Sequence, residues 1–316
     1  MNSIMTVQGP ILPAQLGFCQ CHEHLLISKG VSFSVNPALC IDDFSKSLAE
    51  VNNYAQAGGR TLIDAQPGGC NRMAEGLLAL SKASGINIIA STGFHKMQFY
   101  PTAHWIFEKT QAELTSIFLH ELTVGMYTNS DIQFHPEYIP CCAGMLKTAL
   151  DAEGLTPRYK TLFAAAADAA VRSGVPMQIH IESGSDPLSL LDFLEIHKVP
   201  MQRIILCHMD RAIADTGIHR EALKRGCFLE FDTIGRFKYH SDLYEAGLFA
   251  EHMQAGFEDQ LLFSLDTTRQ RMKAYDPSAI GLDYILTTFL PILQAHGITP
   301  AQIKKIAHDN CVRIFQ

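Results

Sequence analysis

The chain has 316 residues, 47% of them hydrophobic, and a formal net charge of -7, so it can bury a large core but lacks the basic face that a general nucleic-acid grip needs; a small-molecule substrate is expected instead. Even the Ala-rich run 163–171 is broken by Asp168, leaving no stretch of about 18 uninterrupted apolar residues to span a membrane. The nine cysteines are an odd count without a signal-peptide pattern before them, which predicts reduced thiols in a soluble, cytoplasmic protein rather than a disulfide framework.

Short β-type runs alternate with longer helical patterns along the whole chain. Residues 16–25 read as the first strand, followed by an amphipathic helix over 42–57. The next pairs are 60–66 with 73–83, 86–94 with 105–127, and 138–148 with 157–173. Then come 175–182 with 187–197, 203–210 with 212–225, 227–235 with 242–255, and 261–267 with 282–295. The strand runs are almost continuously apolar, as in Arg203-Ile-Ile-Leu-Cys-His208, which suits parallel strands covered on both faces. Eight βα units predict a (β/α)8 TIM barrel in one domain over 1–316. A doubly wound open sheet is the competing architecture, but no G-x-G-x-x-G loop follows the first strand.

In Cys21-His22-Glu23-His24 the two histidines stand two apart at a strand end, so the strand period points both side chains to one face. Alone, such a pair is as readily two polar loop residues. His180 lies near the end of the fifth run, His208 ends the sixth and Asp266 lies at the end of the eighth, where barrel active sites form. A single histidine is usually a satisfied core or surface residue, and a strand-end Asp is often a helix cap; four strand ends carrying these types point to metal. Imidazole nitrogen and carboxylate oxygen suit Zn2+ and similar ions, and four histidines plus an aspartate exceed what one catalytic ion needs, so two ions are expected. The fourth run supplies no carboxylate to bridge them and offers Lys147. Residue type leaves that lysine open between a snorkelling surface side chain and a partner for substrate charge.

In chain order, His22-Glu-His24-Leu25, Ala143-Gly-Met-Leu-Lys147, Gln178-Ile-His180, Cys207-His208, Phe231-Asp-Thr-Ile-Gly235 and Ser264-Leu-Asp266 together resemble the phosphotriesterase family of the amidohydrolase superfamily. The resemblance runs from His22 to Asn310. It implies two divalent ions, Zn2+ first with Mn2+ or Co2+ as alternatives, in a (β/α)8 barrel. By the same resemblance His22, His24 and Asp266 ligate one ion and His180 and His208 the other. Lys147, N-carboxylated and therefore anionic, bridges them. The implied chemistry is attack on an ester centre by a metal-bridging hydroxide, with Asp266 as the catalytic proton acceptor. Family activities include lactone hydrolysis, some on phosphorylated sugar lactones, and organophosphate triester hydrolysis; a lactone or carboxylic ester is the favoured expectation here.

The candidate substrate contacts are loop residues: His95 and Lys96 after the third run, Arg236, Lys238 and Tyr239 after the seventh, and Arg269, with Arg271 nearby, after the eighth. Loops after barrel strands seven and eight often bind phosphate, and arginine forks match phosphate or carboxylate, which points to an anionic substrate. The same charges read equally well as solvated surface residues balancing Asp and Glu. Thr92-Gly-Phe94 departs from family lactonases, which often carry Tyr after Thr-Gly. Phosphotriester and N-acyl amide hydrolysis are the enzymatic alternatives, the latter with His95, Glu182 or Asp210 as proton donor, and a catalytically silent binding barrel is the alternative of another class. Asp64 and Asp232 read as acceptors for ligating imidazoles or as caps, and Cys19, Cys21 and Cys207 as inert small hydrophobes. Barrel hydrolases of this kind are often dimers, so a homodimer is the candidate assembly.

Overall fold

The computed structural model describes residues 3–316. Eight strands, β1 (Cys19–Glu23), β2 (Thr61–Asp64), β3 (Asn87–Gly93), β4 (Met145–Leu150), β5 (Met177–Ile181), β6 (Ile204–Cys207), β7 (Phe228–Phe231) and β8 (Leu261–Phe263), form one parallel sheet in chain order. The β8–β1 seam carries no regular ladder. It is drawn together by the Asp266 N–H donating to the His22 carbonyl at 3.0 Å and by the Ser264 hydroxyl, which accepts from the His22 N–H at 2.8 Å. The result is a barrel that is almost closed.

Alternation along the strands explains the two cores. Cys19, Ile63, Ile89, Met145, Ile205, Phe228 and Leu262 fill the lower barrel interior. Their neighbours Leu62, Ile88, Leu146, Leu206, Leu229 and Leu261 belong to a second core outside it, where the helices α1 (Phe44–Gln56), α2 (Ala74–Ser84), α3 (Gln111–Thr123), α4 (Pro157–Ser173), α5 (Pro187–Ile196), α6 (Thr216–Lys224), α7 (Asp242–Gln254) and α8 (Leu290–Ala295) supply the other surface. A strand buried on both faces must be apolar throughout, and these runs are. No helix among the described residues is long and apolar enough to cross a membrane.

Two sequence expectations need correction between β3 and β4. The run 138–148 is not one strand: Tyr138–Ile139 pairs antiparallel with Met126–Tyr127, and the barrel strand starts only at Met145. Pro140 follows directly and has no N–H to give a ladder, and Gly144 must pass so close to the Met5 carbonyl that a Cβ would lie 2.4 Å from that oxygen. Likewise 105–127 is not one helix. Thr110 and Glu113 form a capping box that begins α3 at Gln111, and Trp105–Phe107 is a separate 3-10 turn.

Candidate metal centre

The interior side chains near the C-terminal strand ends are polar, and they converge. His22 and His24 come from β1 and the residue after it, Lys147 from β4, His180 from β5, His208 from the end of β6 and Asp266 from just beyond β8. Asp266 Oδ1 lies 3.5 Å from His24 Nε2 and 3.7 Å from His22 Nε2. The Lys147 ammonium donates to His22 Nε2 at 3.1 Å, and His180 Nδ1 faces His208 Nε2 at 2.7 Å. The His22 and His208 ring centres, 5.0 Å apart, join the two halves.

Aiming these groups requires unusual backbone. His208 and Asp266 adopt φ of 60° and 48°, the left-handed region that costs a residue with a Cβ of order 1–3 kcal/mol and persists where the surroundings enforce it. At His208 the turn reverses the alternation that would otherwise point the ring outward after Cys207. The register of β1 against β2 shifts between Gln20 and Glu23, and Cys21 and His22 both reach the interior, the first to the thiol of Cys311 and the second to Glu230.

Carboxylates fix which nitrogen of each imidazole is free. Asp232 Oδ1 lies 2.6 Å from His208 Nδ1, its other oxygen lies 3.2 Å from His22 Nδ1, and Glu230 Oε2 is 3.3 Å from the same nitrogen. Glu182 Oε2 is 3.1 Å from His180 Nε2. With those ring protons engaged, His208 Nε2 and His180 Nδ1 confront each other as lone pairs, an arrangement that calls for a cation or proton between them. Burial is the main cause that pushes His22 and His180 down to about 4 and His208 well below its ordinary value, so all three are neutral donors at pH 7. Burial alone would raise Asp266, but the Arg236 guanidinium and the neighbouring histidines hold it well below the usual carboxylate range.

Lys147 is fully buried, which removes the surface-lysine reading. Its contacts are His22 Nε2 and, at 4.0 Å, the Cys207 thiol; among the described residues it has no acidic partner within ion-pair distance. An ammonium buried without a counter-charge costs several kcal/mol. The donor set therefore fits divalent metal ions: neutral imidazoles of His22, His180 and His208 and the Asp266 carboxylate gather with His24 around one centre, and the buried Lys147 amine has no acidic partner there among the described residues.

The expected substrate contacts divide. His95 is buried with its ring 5.7 Å from that of His180, and Arg236 Nη2 lies 3.0 Å from Asp266 Oδ2. Lys96 pairs with Glu182 and lies 3.5 Å from Asp151, so its charge is already balanced. Lys238 and Tyr239 are exposed and stack on each other, 4.6 Å from ammonium to ring centre. Arg269 instead covers the Tyr275 ring at 4.9 Å, and it is Arg271 that turns inward, donating to the Ile234 carbonyl at 2.5 Å; burial and the Arg236 charge lower its pKa to about 9. Asp64 accepts from the N–H groups of Leu25 and Gln66 and so caps the loops instead of an imidazole. Sequence reasoning passed over Glu230, whose signal was a lone charge inside the apolar strand β7, and Arg211, three residues after His208, whose guanidinium feels Asp266 and Asp232 and covers Tyr239 at 5.4 Å.

Fold and site together define a (β/α)8-barrel hydrolase. More particularly, the chain belongs to the phosphotriesterase family, whose model matches residues 2–315, a family of binuclear metal hydrolases. It is similar to N-acetyltaurine hydrolase of Danio rerio, with 26% identity over 98% of this chain and 96% of that one. It is also similar to phospho-furanose lactonase of Mycoplasmopsis agalactiae, 24% identical over 97% of this chain and 89% of that one. The crystal structure of the lactonase Lmo2620 from Listeria monocytogenes superposes with a TM-score of 0.90 and 28% identity, covering 99% of both chains.

Proposed function

We propose that this chain hydrolyses a lactone or carboxylic ester that carries a phosphate or carboxylate group. His22, His24 and Asp266 would hold one divalent ion, His180 and His208 a second, with carboxylated Lys147 between them. Zn2+ is favoured by the nitrogen-rich donor set, with Mn2+ and Co2+ as alternatives. Bound there, such ions supply Lewis acidity that polarises an ester carbonyl and acidifies water. The chain's own residues do the rest. Asp266, ionised at neutral pH, accepts the proton released on attack; Asp232, Glu230 and Glu182 keep the imidazoles in the donor tautomer; Arg236 beside Asp266 offers a fork for the anionic group.

The observation that carries this reading is Lys147, buried against His22 without an acidic partner. The likeness to two lactonases supports the ester, and the name of one of them, phospho-furanose lactonase, supports the anion. A second reading, N-acyl amide hydrolysis, is favoured by the likeness to N-acetyltaurine hydrolase. The test loads the protein with Zn2+, Mn2+ or Co2+, measures bound metal by elemental analysis, and assays lactones, phosphorylated lactones, N-acyl amides and phosphotriesters. At least two equivalents, with fastest turnover of a phosphorylated or carboxylated lactone, are expected; preferential turnover of amides moves the assignment to the second reading.

A further inference from the structure

A second group of donors stands behind the loop that follows β7. Asp210, buried two residues after His208, His240 in that loop, and Glu245 in the first turn of α7 present ligand atoms that all lie within 4.8 Å of one another. His240 Nε2 is 3.0 Å from Glu245 Oε2, 3.8 Å from Asp210 Oδ2 and 3.0 Å from the Thr233 hydroxyl. Asp210 Oδ2 accepts from the Thr233 N–H at 2.7 Å and from its hydroxyl at 2.5 Å. Among the described residues its other oxygen, Oε1 of Glu245 and Nδ1 of His240 are buried without a hydrogen-bond partner; Oε2 of Glu245 has the approach to His240 just given, and Glu245 is 0% exposed. Among the described residues neither carboxylate is within ion-pair distance of a lysine or arginine; His240 is the basic group each faces.

Two buried carboxylates sharing a pocket with one imidazole need positive charge between them, because an unpaired buried anion costs several kcal/mol and a like-charged pair costs more. One imidazole nitrogen cannot serve three oxygens at once. We propose that Asp210, His240 and Glu245 hold a divalent cation of the Zn2+ or Mn2+ type, at a third site separate from the pair proposed at His22 to Asp266. One nitrogen and two carboxylate donors suit these ions, and the site does not require that pair to be filled. Its consequence is mechanical. Asp210 also fastens Thr233, and the chain between Thr233 and His240 carries Arg236, so the cation ties the arginine-bearing loop to the helical turn after β6 and to α7. The competing occupant is a proton on Glu245, whose pKa burial and the Asp210 charge push well above its ordinary value.

Zinc-loaded protein, stripped of excess metal by gel filtration, is expected to hold one equivalent more than Glu245→Gln or His240→Ala prepared alongside. His240, its side chain 11% exposed, gives a second and independent variant should the Glu245 variant fail to fold. Crystals of the unsubstituted protein measured at the zinc edge should show an anomalous peak about 2.0–2.2 Å from the three donors, and His22→Ala should retain that peak. Equal metal content in wild type and in the folded variants, or a zinc-edge map without a peak among these residues, overturns the site and leaves the carboxyl groups sharing a proton.

Discussion

Asp266 is contested by several partners at once: two imidazoles on one oxygen, the Arg236 guanidinium on the other, and a left-handed backbone beneath. Replacing it with asparagine keeps the shape and removes the proton acceptor, so Asp266→Asn should retain the far-UV circular dichroism of the wild type and lose at least about 100-fold in kcat on the best substrate; near-normal turnover would remove Asp266 from the mechanism. Lys147 allows an opposite test. In metal-stripped protein its side chain is buried without an acidic partner among the described residues, so Lys147→Met should raise unfolding stability by about 1–4 kcal/mol while lowering the metal content of the loaded protein. A less stable metal-free Lys147→Met protein would mean that the lysine is compensated in another way. At this scale the sequence pointed to the candidate histidines and Asp266 because each sits at or near a strand end, whereas Lys147 came only through the family resemblance. It hid Glu230, whose partner His22 is 208 residues away, and it could not tell Arg269 from Arg271, since the direction of each in a loop is decided by Tyr275 and Ile234.

Among the elements, β strands were legible because burial on both faces forces continuous apolar runs, and α4 was legible to its ends, with Pro157 at its first position and Gly174 past its last. The excursion between β3 and β4 was not, because apolar residues there pack a side hairpin whose pairing is not local. Within that excursion His104 caps the turn at Trp105–Phe107, its Nδ1 accepting from the Ile106 N–H at 3.1 Å. Burial lowers its pKa from 6.5 to about 4, so between those values the unfolded chain takes up a proton that the folded chain resists. Stability is therefore full above about pH 6.5, falls as the pH drops towards 4, and levels off below that. Urea denaturation at pH 7 and pH 4.5 should show this loss, and His104→Asn, which keeps a capping oxygen without titrating, should lessen it; an unchanged difference would place the effect on the other buried histidines that shift the same way, His22, His95, His180, His208, His219 and His252.

For the whole molecule, the order of eight βα units and the placement of the site at their C-terminal ends followed from pattern alone, whereas how the sheet closes did not. Closure depends on Glu23, whose oxygens accept from the Leu265 N–H at 3.0 Å and the Thr267 N–H at 3.1 Å, with the Ser264 hydroxyl 2.7 Å away. Glu23→Gln turns one acceptor into a donor facing N–H groups and should cost about 1–3 kcal/mol, read as a lower denaturation midpoint; no change in midpoint would show that the Asp266–His22 backbone bond closes the barrel unaided. That seam gives one ligand position a second office. His24 and Asp266 stand on opposite lips of the gap between the first and last strands, so an ion held between them would act as a clasp on an otherwise open hoop. Chelation would then loosen the ring at its join before it disturbed any of the seven hydrogen-bonded ladders.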